Sequence, residues 1–126
     1  MKHYTKEHEW VRIDDAHAHA IVGISEFAAK QLGDITFVEL PELDLDRVAG
    51  DIIATVESVK AASDVYAPIS GTVVAVNKEL DEDPGIVNQS SEDRGWICKL
   101  DNIDVDEVDE LMDEKQYQKY LKDNEK

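Results

Sequence analysis

One cysteine, three prolines and 13 basic side chains against 29 acidic ones leave several readings of this 126-residue chain closed at the outset. A lone Cys98 cannot form an internal disulfide, so the fold must rest on an apolar core, and this length suffices for one domain. Cys98 itself lies in the apolar run Trp96-Ile97-Cys98-Lys99-Leu100, where a free thiol packs as a small hydrophobe. No apolar run approaches membrane-spanning length, and Met1 to Trp10 shows neither an apolar h-region nor an arginine-rich transit pattern. The expectation is a soluble, cytoplasmic protein with no membrane partner. The formal charge of -16 excludes nucleic acid, whose binding depends on clustered Lys and Arg displacing counterions. Such a field keeps a protein in solution and steers it towards basic surfaces.

The usual catalytic and metal signatures are missing too. There is no glycine loop to cradle phosphate, no serine in a nucleophile elbow, and no cysteine pair for zinc. His17 and His19 alternate along one strand, with His3 and His8 nearer the start, but four histidines without recurring ligand spacing predict no metal site. The acidic run Asp101 to Glu110 lacks the glycine that a calcium loop needs at its sharp turn and fits an amphipathic helix better. Paired carboxylates abound, but a chain this acidic produces them by chance. The expectation is a carrier or binding module that is not itself an enzyme.

What is present is a series of short strands. Trp10–Ile13 and Ala18–Ile24 form a first hairpin across Asp14-Asp15-Ala16-His17. Ser25 caps a helix through Leu32, Glu26 lies in its first turn, and Gly33 supplies a left-handed stop. Asp34–Leu40 is a strand ended by Pro41, and a polar connection leads to Gly50. Further strands cover Asp51–Val56, Val65–Ile69 and, after Ser70-Gly71, Thr72–Val76. Asp83 before Pro84 reads as the cap of one helical turn, Asn88 to Gly95 as loop, and Trp96 to Leu100 as the last strand. From Asp104 apolar residues recur at helical spacing; Asp113 and Gln116 have capping-box spacing, with Tyr117, Tyr120 and Leu121 forming a second stripe. Two short C-terminal helices covering a sheet core are expected. The whole predicts one domain, 1–126, with its core over roughly residues 9–100 and a helical extension over roughly 104–122.

Between the central strands stands Glu57-Ser58-Val59-Lys60-Ala61-Ala62-Ser63-Asp64. Lys60 falls near a hairpin tip, rigidly flanked and exposed, which suits covalent attachment and equally suits a lysine that serves only solubility.

The chain resembles the H proteins of the glycine cleavage system. The match runs through Tyr4-Thr5-Lys6-Glu7-His8-Glu9-Trp10-Val11, Val22-Gly23-Ile24, Leu32-Gly33-Asp34-Ile35 and Phe37-Val38-Glu39-Leu40-Pro41. It continues through Val56-Glu57-Ser58-Val59-Lys60-Ala61, Ser63-Asp64-Val65, Pro68-Ile69-Ser70-Gly71, Val76-Asn77, Asn88 and Gly95-Trp96. The resemblance implies a mainly β, lipoyl-type flattened barrel or sandwich of two antiparallel sheets with short helices. It implies lipoic acid in amide linkage on Lys60, with Glu9 and Asp64 near the far end of the arm in a surface cleft. The implied partners are the pyridoxal-phosphate-dependent glycine decarboxylase, the aminomethyltransferase and dihydrolipoamide dehydrogenase. A lipoate ligase or a lipoyl/octanoyl transferase is implied as the attaching enzyme, and a monomer as the state of the chain. The cargo would be the aminomethyl group of glycine.

Departures from the family pattern are local. The loop before Gly95-Trp96 has no Pro-Tyr pair, no glycine follows Glu42 closely, and Gln31 stands where some members have histidine. Alternatives remain a lipoyl module serving 2-oxo acid dehydrogenases or a lipoate relay, and an acidic adaptor whose lysine is never modified. A biotin carrier would place its lysine between methionines, whereas here it is Val59-Lys60-Ala61.

Overall fold

A computed structural model describes residues 2–14 and 19–124. The elements in order are β1 (Lys2–Tyr4), β2 (Glu9–Ile13), β3 (Ala20–Ile24), α1 (Glu26–Leu32), β4 (Ile35–Glu39), β5 (Asp46–Arg47), β6 (Ile52–Ser58), β7 (Ala62–Tyr66), β8 (Gly71–Val76), α2 (Glu79–Glu82), α3 (Ile86–Ser90), β9 (Cys98–Asp101), a 3-10 helix (Val105–Glu110), β10 (Met112–Asp113) and α4 (Glu114–Asp123). The turn expected after Asp14, and His17 with it, lies outside the described residues.

Seven strands form one antiparallel sheet in the order β10-β1-β2-β3-β9-β8-β5, and β4-β6-β7 form a second. Val11, Val22, Val73 and Leu100 of the first sheet meet Val38, Val56 and Val65 of the second in one buried cluster, the mainly β sandwich expected. Two bulges explain why simple alternation fails in the smaller sheet. The register shifts between Ile35 and Phe37 in β4 and between Ile52 and Ala54 in β6, so Ile35 and Val38 face inward, as do the consecutive Ile53 and Ala54.

β2 is buried on both faces, with neither Trp10 nor Val11 exposed. Val11 enters the main core, whereas Trp10 joins Tyr4 and Tyr117 in a second cluster beneath α4. Tyr4 and Tyr117 stack with ring centroids 4.2 Å apart. Gly23 pairs with Trp10 in the ladder, and a β-carbon there would stand 2.8 Å from the indole, so only glycine lets the tryptophan lie flat. The capping box of α4 forms as the sequence predicts: Gln116 N–H donates to Asp113 (2.7 Å) and Asp113 N–H to Gln116 Oε1 (2.9 Å).

Several expectations need correction. The first C-terminal helix is 3-10, held by Glu107, whose carboxylate accepts from Ser70 N–H (2.7 Å) and Ser70 Oγ–H (3.0 Å). The strand expected at Val65–Ile69 is β7, shifted to Ala62–Tyr66 because pairing with β6 begins at Glu57–Ala62. Asp83 does not cap a helix; it ends α2, donating its N–H to Glu79 O, and α3 starts after Gly85 and occupies part of the predicted loop. The strands β1, β5 and β10 have two or three residues each, too short for periodicity to show.

Candidate functional site

Lys60 sits in the turn joining β6 and β7, and Ser58 builds that turn. Ser58 N–H donates to Ala61 O at 2.7 Å, while its Oγ accepts from Lys60 N–H (3.3 Å) and Ala61 N–H (3.1 Å). Val59 N–H donates to Asp34 O at 3.0 Å, tying the tip to the segment between α1 and β4. Lys60 is exposed, and among the described residues no ion pair holds its ammonium.

The lysine lies alongside the end of α1. Ser25 caps that helix, accepting from Ala28 N–H at 3.1 Å, and Gly33 closes it with φ 79° and ψ -156°. The φ is positive as expected, but the ψ lies in a region that glycine alone populates readily rather than in the left-handed well. A β-carbon at Gly33 would meet Lys60 Cε at 3.3 Å and Nζ at 3.8 Å, so the missing side chain is the space beside the lysine stem. Asn88 fixes this corner, accepting from Ile35 N–H (2.8 Å) and donating to Gly33 O (2.8 Å).

Next along α1, Leu32 and Gln31 open onto a cleft of about 250 Å³ that also includes Phe27, His8, Glu9 and Asp64. The two acids named by the sequence therefore share one cavity, with different surroundings. Asp64 is exposed and accepts from Thr55 Oγ1–H at 3.3 Å. Glu9 is 2 % exposed; Thr5 Oγ1–H donates to Oε1 at 2.6 Å and Tyr66 N–H to Oε2 at 3.2 Å. Burial pushes the Glu9 carboxyl above the usual carboxylate range, against the opposing pull of those two hydrogen bonds, and the nearby Glu7 adds to the rise. A carboxyl in that state ionises more readily when a cation arrives beside it.

Sequence reasoning missed Thr5 and Tyr66, which hold Glu9, and Gly33 as a neighbour of Lys60; the Thr-x-x-x-Glu spacing was the available signal for the first. His8, weighed there as a metal ligand, instead puts Nδ1 2.8 Å from the Tyr117 hydroxyl. His19 lies 3.3 Å from Asp14, and among the described residues no three His, Cys, Asp or Glu side chains gather as a metal site. Cys98 is fully buried and its thiol is pushed up to about 12, so it is no nucleophile. No helix among the described residues is long and apolar enough to cross a membrane.

The family model described as "Glycine cleavage H-protein" matches residues 2–124. The chain belongs to the glycine cleavage H-protein family. It is 52 % identical over 118 residues to the glycine cleavage system H protein of Xanthobacter autotrophicus, covering 94 % of this chain and 93 % of that one. It is 48 % identical over 120 residues to the H protein of Thermotoga maritima, covering 95 % of each. The crystal structure of the Mycobacterium marinum H protein superposes with a TM-score of 0.81 at 34 % identity, covering 98 % of this chain and 95 % of that one. Membership of the H-protein family gives an independent reason to look for a carrier function at the exposed lysine.

Proposed function

We propose that the chain is the lipoyl carrier of a glycine cleavage system, with lipoate in amide linkage on Lys60 and the aminomethyl group of glycine as cargo. Family membership makes it a carrier subunit of that system; the attachment point and the resting place of the arm rest on the geometry. The observation that carries the reading is an exposed lysine on a pinned hairpin, with the open face of Gly33 beside it and, lined by Leu32 of the same helix end, a cleft holding Glu9 and Asp64.

The residues present fit the group. Lys60 Nζ, as the neutral amine, attacks an activated carboxyl; the C–N bond forms, the leaving group departs with its electron pair, and nitrogen loses a proton. When bound, lipoate supplies a disulfide-dithiol pair, sulfur chemistry that side chains of this protein do not offer. The hairpin holds the anchor still so that the attached end is presented at high effective concentration to each partner in turn. Glu9 and Asp64 supply negative charge for an amine-bearing end, and Phe27, Leu32 and Val56 in the same wall limit water. In this reading the chemistry belongs to the decarboxylase, the aminomethyltransferase and dihydrolipoamide dehydrogenase, and attachment to a lipoate ligase or lipoyl/octanoyl transferase.

Intact mass before and after incubation with lipoate, ATP and a lipoate ligase tests the assignment. A lipoyl gain that disappears in Lys60→Ala supports it, and no gain, or one that survives the substitution, overturns it. Glycine–bicarbonate exchange with the decarboxylase then separates a glycine cleavage carrier from a lipoyl module of another complex.

A further inference from the structure

His8 has three features that the carrier reading leaves unused. Its backbone is left-handed at φ 69°, held by His8 N–H donating to Thr5 O (3.1 Å) and by Ser25 N–H donating to His8 O (2.8 Å). A non-glycine residue in that region costs energy and draws attention to what the position gains. Its ring packs against Phe27 and lines both the cleft of Glu9 and Asp64 and a second cavity of about 690 Å³ between α1 and α4.

The surrounding hydroxyls fix its tautomer. Ala28 N–H donates to Ser25 Oγ (3.1 Å), and Ser25 Oγ lies 2.8 Å from the Tyr117 hydroxyl, itself 2.8 Å from His8 Nδ1. Ser25 is fully buried, so its proton needs an acceptor, and Tyr117 is the acceptor at hand. Tyr117 then donates to His8 Nδ1, which must be bare, and the ring proton resides on Nε2. Charging His8 would reverse both hydroxyls and strand the buried Ser25 proton. Burial independently lowers the His8 pKa, with Glu7 opposing.

We propose that His8 is a positioning residue for the lipoyl arm, donating Nε2–H to a sulfur of its cargo-bearing end. The inference rests on the carrier reading of Lys60. The cleft already has carboxylates for a cationic amine, and a lysine or arginine beside them would cancel that attraction. A neutral imidazole supplies a donor without adding charge, and among the described residues Nε2 has no protein partner competing for it. Sulfur and amine are thus held by different groups, which selects a loaded arm over one carrying no amine.

The test uses lipoylated full-length protein with its arm in the disulfide form, loaded with glycine by the decarboxylase and then freed of that enzyme. In loading, carbon dioxide leaves, the C–S bond forms as the S–S bond breaks, and the second sulfur is left as a thiol. In water the cargo hydrolyses: the C–S bond breaks, water oxygen joins the methylene carbon, and formaldehyde, ammonia and thiol form without net oxidation. Asparagine at position 8 tolerates the left-handed backbone and keeps an acceptor for Tyr117, but has no donor at the Nε2 position; glutamine places an amide N–H near that position. Expected results are a shift of the His8 Nε2–H resonance on loading, formaldehyde release about fivefold faster in His8→Asn, and near-native release in His8→Gln. No resonance shift, or release from His8→Asn at the native rate, overturns the proposal, as does a glutamine variant as leaky as the asparagine one. Failure of Lys60 to gain lipoyl mass is a separate result that removes the carrier reading before any of these measurements.

Discussion

Gly33 leaves an open face against which the Lys60 stem lies, its absent β-carbon standing 3.3 Å from Lys60 Cε. Backbone and space thus demand glycine at one position for two reasons, since φ 79° with ψ -156° is itself costly for any other residue. Gly33→Ala should lose about 1–3 kcal/mol of stability. It should also displace the lysine, slowing acylation of Lys60 by a lipoate ligase. Chemical denaturation and intact-mass time courses read the two effects separately.

Ser58→Ala removes the acceptor shared by Lys60 N–H and Ala61 N–H in an exposed turn. The fold should lose only about 0.5–1.5 kcal/mol, because water can replace the lost partner. The acylation rate should fall more than stability does, since the lysine is no longer held in one presentation. An unchanged rate in a variant whose turn amides exchange faster would show that the attaching enzyme does not need a rigid hairpin.

Glu9 predicts a pH dependence with a defined sign. Its folded-state pKa is raised, so the folded protein binds this proton more tightly than the unfolded chain does. The corresponding stability is complete below the ordinary carboxyl range and is lost as pH rises through the folded value. Glu9→Gln should therefore be more stable than the native chain at neutral pH, with the difference shrinking as the pH falls into the carboxyl range. The same variant should hold an aminomethyl cargo less well. Denaturation midpoints across pH, set beside formaldehyde release from the loaded protein, check both halves.

Cys98 should resist alkylation in the native state, because the thiol is fully buried and its pKa is pushed up to about 12. Iodoacetamide labelling should appear only as denaturant unfolds the chain. Rapid native labelling would contradict the packing of β9 against β3 and β8.

Much of the frame could be read from local chemistry. The Ser25 cap and the Asp113–Gln116 box depend on a few neighbouring residues, and the structure reproduces both, whereas Gly33 has the positive φ of the expected left-handed stop but not its ψ. The hairpin around Lys60 was legible because β-branched runs flank a small-residue turn. Where reading failed, the cause was distant. Short strands such as β1 and β10 exist because they pair with each other at His3–Asp113 and Tyr4–Met112, contacts that no local window contains. The bulges in β4 and β6 are shifts of register against the neighbouring strand, which the alternation within either strand does not encode.

The sequence by itself determined an acidic, mainly β chain with an exposed lysine at a hairpin tip, because strand alternation, turn residues and caps act over a few positions. Tertiary structure decided what surrounds that lysine. Glu9 and Asp64 come from strands far apart in the chain and meet in one cleft, and Tyr117 reaches across 109 residues to His8. The burial that raises the Glu9 carboxyl and lowers the His8 imidazole exists only after the two sheets and α4 have closed around them, since desolvation belongs to the packed ensemble and to no single segment.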